Sequence, residues 1–373
     1  MPKTATVTFW REEPTRIVLF NGFSFVAHAL DADHFFLSVD ASAEQQQALK
    51  AKLSEYEKVY CSLTADVHLP AVTPIMDGRW LFGGPAIGSS PAPAVENCYR
   101  GNMEGLLNIP VSTTFTDYWT GHPDLPVGKP YFISCAIGSG CYWNRCTFCN
   151  YRSCGQSLTR RPEIAKILSH LTHPESTCLV HLCFAACTLP ILKEILASGQ
   201  AGRFTLVCFI RAEKALIDFI RSYGGSLAGI YFSIGVESFS PGAMAILDKG
   251  FDFEAVLELS RAALEKQAAV EWNIMDSLPF LDAKMADDYE WNVLRAASLQ
   301  WFGSPAIYNN GPVVWPDVET ASRFGPYEPR PGGRAISIIR RGTPAYDANV
   351  RAEMAILNSG ITLYGEKLGA WLG

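Results

Sequence analysis

Short apolar runs alternate with amphipathic segments through the middle of the chain. Six of these runs are nearly continuous in apolar residues, as parallel strands buried on both faces are; they span 131–137, 178–184, 204–210, 229–235, 269–275 and 304–308. Helical periodicity fills the intervals, at 162–171, 188–198, 212–223, 253–267 and 282–299. Repeated strand–helix units predict a partial (β/α)6 TIM-like barrel, whose active site would lie at the carboxyl ends of the strands.

The region in front of the barrel shows a shorter version of the same alternation. Residues 1–15 carry no periodicity. Strand-like runs follow at 16–20, 34–39, 57–62 and 79–83, with a polar helix between the second and the third. This order predicts a small Rossmann-like parallel-sheet domain.

The chain divides by pattern into three parts. We expect a small α/β domain over 1–110, the barrel over 111–310 and a C-terminal extension over 311–373 that covers the barrel or the substrate site. The extension is irregular and rich in proline and glycine until a helix predicted over 347–358.

Composition narrows the class of protein. Of the 373 residues 48% are hydrophobic and only 18% charged, and the net charge is -6, which predicts a thick core and argues against broad binding of nucleic acid or anionic lipid. No apolar run is long enough for a membrane span, and the first residues lack the core of a signal peptide. We therefore expect a cytoplasmic protein without nucleic-acid or membrane partners.

Cysteine is the unusual component, with eleven in the chain. Directly after the first barrel strand, Cys141, Cys146 and Cys149 follow the spacing C-x4-C-x2-C. Three thiolates in one tight loop can bind three irons of a [4Fe-4S] cluster and leave the fourth iron open to a ligand from outside the protein. A zinc loop completed by Cys154, or a set of inert thiols, is the alternative interpretation.

Two motifs together resemble a known family. The triad has an aromatic residue, Phe148, before its last cysteine. The segment YFSIGVESFSPGAMAILDKGF at 231–251 is similar to the "GVES…L…KG" segment of one branch of the radical S-adenosylmethionine (SAM) superfamily. That branch also carries cobalamin-binding domains. The usual spacing of the superfamily is C-x3-C-x2-C, so this chain has one additional residue in its first spacer.

The resemblance, which covers about 130–300, implies a chemistry. The three cysteines would hold the cluster, and the amino and carboxylate groups of SAM would occupy the open iron. An electron from the reduced cluster would break a carbon–sulfur bond of SAM and give a 5′-deoxyadenosyl radical that abstracts hydrogen from a substrate. An external reductant of the flavodoxin or ferredoxin type would supply the electron.

The same resemblance assigns roles around SAM. Phe148 would lie near the adenine, and Arg211 would meet the carboxylate with its charged fork. Glu237 and Ser238, at the end of the fourth strand, would complete the polar contacts. From the residues alone, the alternative interpretations are that Arg211 is a helix-surface arginine and that Glu237 with Ser238 is a helix N-terminal acid with its capping residue.

A further thiol lies at the predicted catalytic rim. Cys183 and Cys187 follow the second barrel strand, where the superfamily often has acidic or glycine-rich residues. Small buried thiols explain them by packing alone. The functional alternative is that Cys187 binds a thiophilic substrate or donates hydrogen, which makes it the candidate catalytic residue.

The N-terminal region resembles a shortened cobalamin-binding domain. WLFGGP at 80–85 and YRGNMEGLL at 99–107 are similar to the "VVVGGP" and "GEGE" segments of such domains. The cobalamin-ligand pattern D-x-H-x-x-G is absent after the first strand. Asp66 and His68 match part of it elsewhere, and we interpret them as a helix cap and an ordinary histidine. A cobalamin site and a vestigial sheet that shapes the substrate cavity both stay open.

Three functions follow from these interpretations. The first is a radical SAM enzyme that modifies a small molecule or peptide in specialised metabolism, that is, in natural product biosynthesis. The second is a cobalamin-dependent methyltransferase, and aminocarboxypropyl transfer from SAM is a related alternative. The third is a non-enzymatic iron–sulfur or zinc protein that only binds a partner.

Overall fold

The computed structural model describes a defined part of the chain: residues 3–13, 17–20, 32–63, 68–83, 125–126, 128–129, 131–134, 141–149, 178–181, 187–303, 305–330, 334–365 and 367–368. The chain folds into two compact units. The first contains Met1–Ile137, Arg160–Leu182 and Ser198–Thr205, and the second contains Gly138–Thr159, Cys183–Ala197 and Leu206–Gly373. The domain boundaries at 110 and 310 stay predictions.

The first unit is built on a mostly parallel sheet. Its strands are β1 (Thr4–Glu12), β2 (Ile17–Phe20), β3 (Asp33–Ser38), β4 (Lys58–Ser62), β5 (Trp80–Gly83), β6 (Tyr131–Ser134) and β7 (Cys178–His181). They pair in the order β7-β6-β2-β1-β4-β5, and β3 pairs with β1. The four strands predicted between 16 and 83 are confirmed to within one residue at each end.

Two expectations for this unit are wrong. Residues 1–15 contain β1, whose alternation of threonine with Ala5, Val7 and Phe9 has the two-residue period of a strand. Both faces of β1 are buried, because short threonines pack inside as well as apolar residues do. The sheet is also not wholly parallel, since β1 pairs antiparallel with β2.

The helices of the first unit cover an apolar core. Helix α1 (Ala43–Leu53) begins at a capping box formed by Ser42 and Gln45, and α2 (His68–Val72) follows β4. His68 is fully buried and its ring stacks on Phe9 at 4.3 Å, as expected for an ordinary core histidine. Asp66 and the segment 99–107 lie outside the described residues.

The second unit contains a parallel sheet and an additional small sheet. Its strands are β8 (Thr205–Ile210, in this unit from Leu206 on), β9 (Ile230–Glu237), β10 (Ala269–Asp276), β11 (Ala306–Pro312), β12 (Val314–Trp315), β13 (Tyr327–Pro329), β14 (Ala335–Ser337) and β15 (Thr362–Gly365). All neighbours in the row β15-β11-β10-β9-β8 pair parallel, and β12, β14 and β13 form an antiparallel sheet.

The helices of the second unit confirm most of the predicted periodicity. They are α3 (Leu189–Ala197), α4 (Lys214–Ser222), α5 (Pro241–Ile246), α6 (Phe253–Glu265), α7 (Ala283–Ser298), the 3-10 turn Leu299–Trp301, α8 (Val318–Ser322) and α9 (Pro344–Asn358). The predicted helix 162–171 lies outside the described residues. The expectation that the region after 310 is irregular apart from one helix is wrong, because it contributes β12 to β15, and β15 extends the parallel sheet.

The strand order positions the site. Parallel strands present their carboxyl ends at one edge of a sheet, and in the second unit Arg211 follows β8 while Glu237 ends β9. Among the helices in the described part of the chain, none has both the length and the apolar character needed to cross a bilayer.

Candidate functional site

The three predicted cluster ligands lie on one short loop of the second unit, residues 141–149, which we call the triad loop. Cys141 and Cys149 are half-buried and Cys146 is 9% exposed. The backbone N–H of Cys149 donates to the carbonyl of Cys146 at 3.2 Å, which closes a turn between the last two cysteines. Cys154 lies outside the described residues.

The triad loop is bound to a second segment, residues 246–251 at the end of α5, which we call the Lys-Gly turn. The backbone N–H of Thr147 donates to the carbonyl of Leu247 at 3.1 Å. The indole N–H of Trp143 donates to the carbonyl of Asp248 at 2.7 Å, and Arg145 Nε donates to the carboxylate of Asp248 at 3.2 Å. The segment 231–251, identified in the sequence by its resemblance, therefore contains the turn to which the triad loop is hydrogen-bonded.

Close packing of Trp143 explains why the turn contains a glycine. Gly250 has φ +70, a conformation that side chains disfavour, and a Cβ atom at this position would lie 1.9 Å from Cζ2 of Trp143. Within the first spacer, Asn144 also has a positive φ of 47. The four-residue spacer thus reverses direction at Asn144 and directs the indole onto Gly250.

Arg211 lies in the connection from β8 to α4, and it is only 6% exposed. One guanidinium nitrogen, Nη2, donates to the backbone carbonyl of Lys249. Its Nε lies 3.5 Å from Glu213 Oε1 but makes no hydrogen bond among the described residues. The guanidinium carbon stands 4.4 Å from the ring centre of Trp143 and 5.1 Å from that of Phe251. The arginine is buried at the strand end and does not occupy a helix surface.

Glu237 forms a buried ion pair that the sequence did not suggest. Its Oε1 accepts a hydrogen bond from Lys249 Nζ at 3.0 Å, with side-chain exposures of 9% and 8%. The backbone of Glu237 has φ 66, and a Cβ atom on Gly235 would lie 2.7 Å from the same carboxylate oxygen. The pair therefore occupies space that the missing side chain of Gly235 provides. The letters "KG" of the family-like segment were the available signal for Lys249.

Ser238 and Phe148 adjoin this pair. Ser238 is fully buried, and its hydroxyl accepts from the backbone N–H of Ser240 at 3.1 Å. The capping residue of α5 is Ser240 itself, whose hydroxyl accepts from Ala243 N. The ring centre of Phe148 lies 5.5 Å from Lys249 Nζ.

Cys187 lies just before α3 and is fully buried. Its backbone N–H donates to the carbonyl of Phe209 in β8 at 2.5 Å, and its sulfur lies 3.6 Å from the carbonyl of Thr188. Cys183 lies outside the described residues.

Burial and nearby positive charge shift the pKa of Cys146 in opposite directions. Burial raises the pKa of the Cys146 thiol, and the positive charges of Lys249 and Arg211 oppose that rise. Burial, together with the hydrogen bond from Tyr142 to Glu213 at 2.6 Å, raises the pKa of the Tyr142 hydroxyl. Among the described residues, no three His, Cys, Asp or Glu side chains converge on the position of a single metal ion.

Comparison with known proteins gives structural neighbours only. No protein-family model matches the chain, and no curated protein matches it in sequence. The radical SAM methyltransferase TsrM from Kitasatospora setae, solved with cobalamin and a [4Fe-4S] cluster, superposes with a TM-score of 0.57 and 12% identity, over 84% of this chain and 72% of TsrM.

Two further structures give similar values. TsrM with tryptophan substrate and the SAM analogue aza-SAM has a TM-score of 0.54 and 13% identity, over 82% of this chain and 73% of TsrM. Apo OxsB, a cobalamin-dependent SAM radical enzyme, has a TM-score of 0.50 and 13% identity, over 78% of this chain and 51% of OxsB. The resemblance drawn from the sequence is confirmed at the level of the fold: this chain shares a mixed α/β fold with parallel strands with TsrM, a radical SAM methyltransferase.

Proposed function

We propose that this protein is a radical SAM enzyme that binds a [4Fe-4S] cluster and cleaves SAM reductively to modify a small molecule or peptide. The observation that carries the proposal is the packing of the three-cysteine triad loop against buried Arg211 and the Lys249–Glu237 pair. These residues all belong to the second unit, whose parallel strands also support the proposal. Natural product biosynthesis, a cytoplasmic location and an electron donor of the flavodoxin or ferredoxin type belong to the same proposal.

The donor set fits the cluster. Three thiolates from nine residues of chain can each bind a separate iron, which leaves one iron for SAM. The nearby charges of Arg211 and Lys249 favour the thiolate form that iron requires, because a positive charge stabilises a negative one in a buried site. When bound, the cluster supplies the electron that cleaves SAM.

The groups around the triad loop suit the polar end of SAM. Arg211 presents a buried N–H donor, Nε, that has no hydrogen bond within the described residues, and a carboxylate ligand would satisfy it. Glu237 offers a buried carboxylate that already holds one ammonium group, that of Lys249. These two residues can therefore orient a ligand that carries both a carboxylate and an ammonium group.

Aromatic rings keep water away from these charges. The rings of Tyr142, Trp143 and Phe251 all lie within 5.9 Å of the Arg211 guanidinium. Electrostatic interactions are stronger where water is excluded, so the same charges orient a bound ligand more firmly here than they would at the surface.

Anaerobic reconstitution with iron and sulfide tests the proposal. Under dithionite, the protein should convert SAM into 5′-deoxyadenosine and methionine, as mass spectrometry of the products would show. Cys146→Ala should lose the broad brown absorbance and all SAM cleavage. Cys61→Ala, which removes a buried thiol from β4 of the first unit, should keep both. Four irons per chain in Cys146→Ala would contradict the ligand assignment.

A cobalamin-dependent methyl transfer is the second candidate. Two observations favour it: TsrM, solved with cobalamin, superposes on 84% of this chain, and the first unit carries parallel strands with helices. The same product analysis separates the candidates, because methyl transfer gives S-adenosylhomocysteine and a methylated substrate. A corrin absorption band after incubation with cobalamin is required for this candidate. Aminocarboxypropyl transfer would instead release methylthioadenosine.

Cys187 is our proposal for a catalytic thiol. The bond of its backbone N–H to Phe209, two residues before Arg211, supports a position beside the proposed SAM site. Cys187→Ala should leave SAM cleavage intact and stop product formation, because the thiol acts on the substrate and not on SAM. Normal product formation in this variant would reduce Cys187 to a packing residue.

A further inference from the structure

Trp143 makes three kinds of contact from one side chain. Its indole N–H donates to the carbonyl of Asp248, its six-membered ring covers the backbone of Gly250, and its face lies against the guanidinium of Arg211. The indole thus joins the triad loop, the Lys-Gly turn and the end of β8, three segments separated in sequence.

We infer that Trp143 is a positioning residue that holds the triad loop and Arg211 in one fixed arrangement. The inference rests on the proposed function, in which the loop binds the cluster and Arg211 binds the carboxylate of SAM. The two groups must act on one ligand, so their relative position determines how well that ligand is oriented. From within the loop, Trp143 contacts both Arg211 and the Lys-Gly turn.

The contacts explain why this position holds tryptophan. A phenylalanine would keep an aromatic face for the guanidinium but would lose the donor to Asp248. An alanine would lose both and would uncover Gly250. Arg211 itself also binds the carbonyl of Lys249, so the indole, the guanidinium and the turn form a closed set of mutual contacts.

The contacts also explain why the spacer between Cys141 and Cys146 has one additional residue. Between Cys141 and Cys146 the chain has four residues, and the second of them is Trp143. The positive φ of Asn144 follows directly after it. The additional residue therefore accommodates the indole anchor, while the turn between Cys146 and Cys149 keeps the usual two-residue spacing.

Loss of the indole should loosen the loop without releasing it. The bonds of Thr147 to Leu247 and of Arg145 to Asp248 remain in a Trp143 variant. We therefore expect Trp143→Ala to fold and to take up the cluster, with the loop and Arg211 less well fixed. Trp301→Ala is the matched control, because Trp301 is 91% exposed and lies on the 3-10 turn after α7.

Two measurements test the inference. The first is the rate at which iodoacetamide alkylates Cys146 in the cluster-free protein, mapped by mass spectrometry. The second is the dissociation constant for SAM, measured on the cluster-loaded fraction by equilibrium dialysis. Losing a hydrogen bond and a cation–π contact should raise each value about tenfold in Trp143→Ala. Trp143→Phe should fall between Trp143→Ala and the wild type, and Trp301→Ala should match the wild type.

A double variant checks that the contact with Gly250 is the cause. Gly250→Ala should also raise both values, because its Cβ displaces the indole. In the Trp143→Ala background the same change should add less to either value than it does in the wild type, because the indole is no longer there to be displaced and only the positive φ of Gly250 still disfavours a side chain.

The outcomes separate this inference from the proposed function. An unchanged value in Trp143→Ala for either measurement would overturn the inference, as would a lower thermal stability as the only effect. If the wild type itself takes up no cluster, the proposed function fails and the alkylation rates alone decide the inference. If Trp143→Ala does not fold, Trp143→Phe decides it by the same two values.

Discussion

The two units differ in what they bury beside apolar residues. Among the described residues, the buried polar side chains of the first unit are Thr6, Thr8, His34 and His68. All buried arginine, lysine, aspartate and glutamate residues among the described residues belong to the second unit. They are Arg211, Glu237, Lys249, Glu271 and Asp276. Both units contain parallel strands, so parallel strands alone do not explain why the second unit buries these charges.

The difference between the units is consistent with the proposed position of the site. Removing a charge from water costs several kcal/mol unless partners compensate for it, so a fold retains buried charges where a ligand or a reaction needs them. In the second unit Arg211 follows the carboxyl end of β8 and Glu237 ends β9, and Arg211 and Lys249 lie beside rings of the triad loop. Asp276 ends β10, and Glu271 lies near the start of that strand. The first unit gains its stability from packing, as in the cluster of Val7, Phe9 and Trp80.

The largest effect should come from breaking the buried ion pair. Lys249→Met removes the ammonium and leaves Glu237 buried without its cation, which should lower the free energy of unfolding by about 3–5 kcal/mol. Lys129→Met is the matched change in the first unit. It removes a partly exposed pair with Glu12 and should cost about 1 kcal/mol or less. Urea denaturation of both variants measures the two values.

A second substitution distinguishes the pair from simple packing. Adding Glu237→Gln to Lys249→Met removes both charges, so most of the lost stability should return. If the double variant is as unstable as Lys249→Met, the loss comes from packing, and the contrast between the units does not rest on charge.

A smaller effect should come from the glycine that accommodates the pair. In Gly235→Ala the new Cβ would lie 2.7 Å from Glu237 Oε1 and 3.2 Å from Lys249 Nζ, so the pair must shift, at about 1–3 kcal/mol. Gly78→Ala in the first unit meets no atom within 4 Å and should change stability by less than about 0.5 kcal/mol. In the Lys249→Met background Gly235→Ala should cost less, and an equal cost there would refute the proposed steric cause.

The sequence predicted the elements of this molecule better than the contacts among them. Continuous apolar runs placed β8 to β10 to within two residues, because a strand buried on both faces is visible in its own residues. The strand Thr4–Glu12 is not visible as an apolar run, because Thr4, Thr6 and Thr8 separate its apolar residues, although the fold buries Thr6 and Thr8 as fully as it does Ala5 and Val7. The ion pair of Glu237 with Lys249 and the contact of Trp143 with Gly250 leave no periodicity, since they depend on how a turn and a loop meet in space.

The smallest effect should appear as a dependence of stability on pH. Glu353 on α9 lies in a cavity with Asp276 of β10 and Tyr289 of α7, and burial together with the charge of Asp276 raises its pKa from 4.5 to about 7. A carboxyl group that holds its proton more tightly in the folded state stabilises the fold below pH 4.5, and this contribution is lost as the pH rises through about 7.

Replacement by a neutral isostere should remove this dependence. Glu353→Gln should equal the wild type near pH 4 and exceed it at pH 8 by on the order of 1 kcal/mol, after allowance for solvent screening of a half-buried group. Asp77 in the first unit should behave in the opposite way. Its hydrogen bond from Arg79 lowers its pKa, so Asp77→Asn should lose stability at neutral pH and match the wild type only in acid. Urea denaturation across this pH range measures both differences. A difference for Glu353→Gln that does not vary with pH would mean that the fold does not raise the pKa of this carboxyl group, and burial beside Asp276 would then have no cost for its charged form.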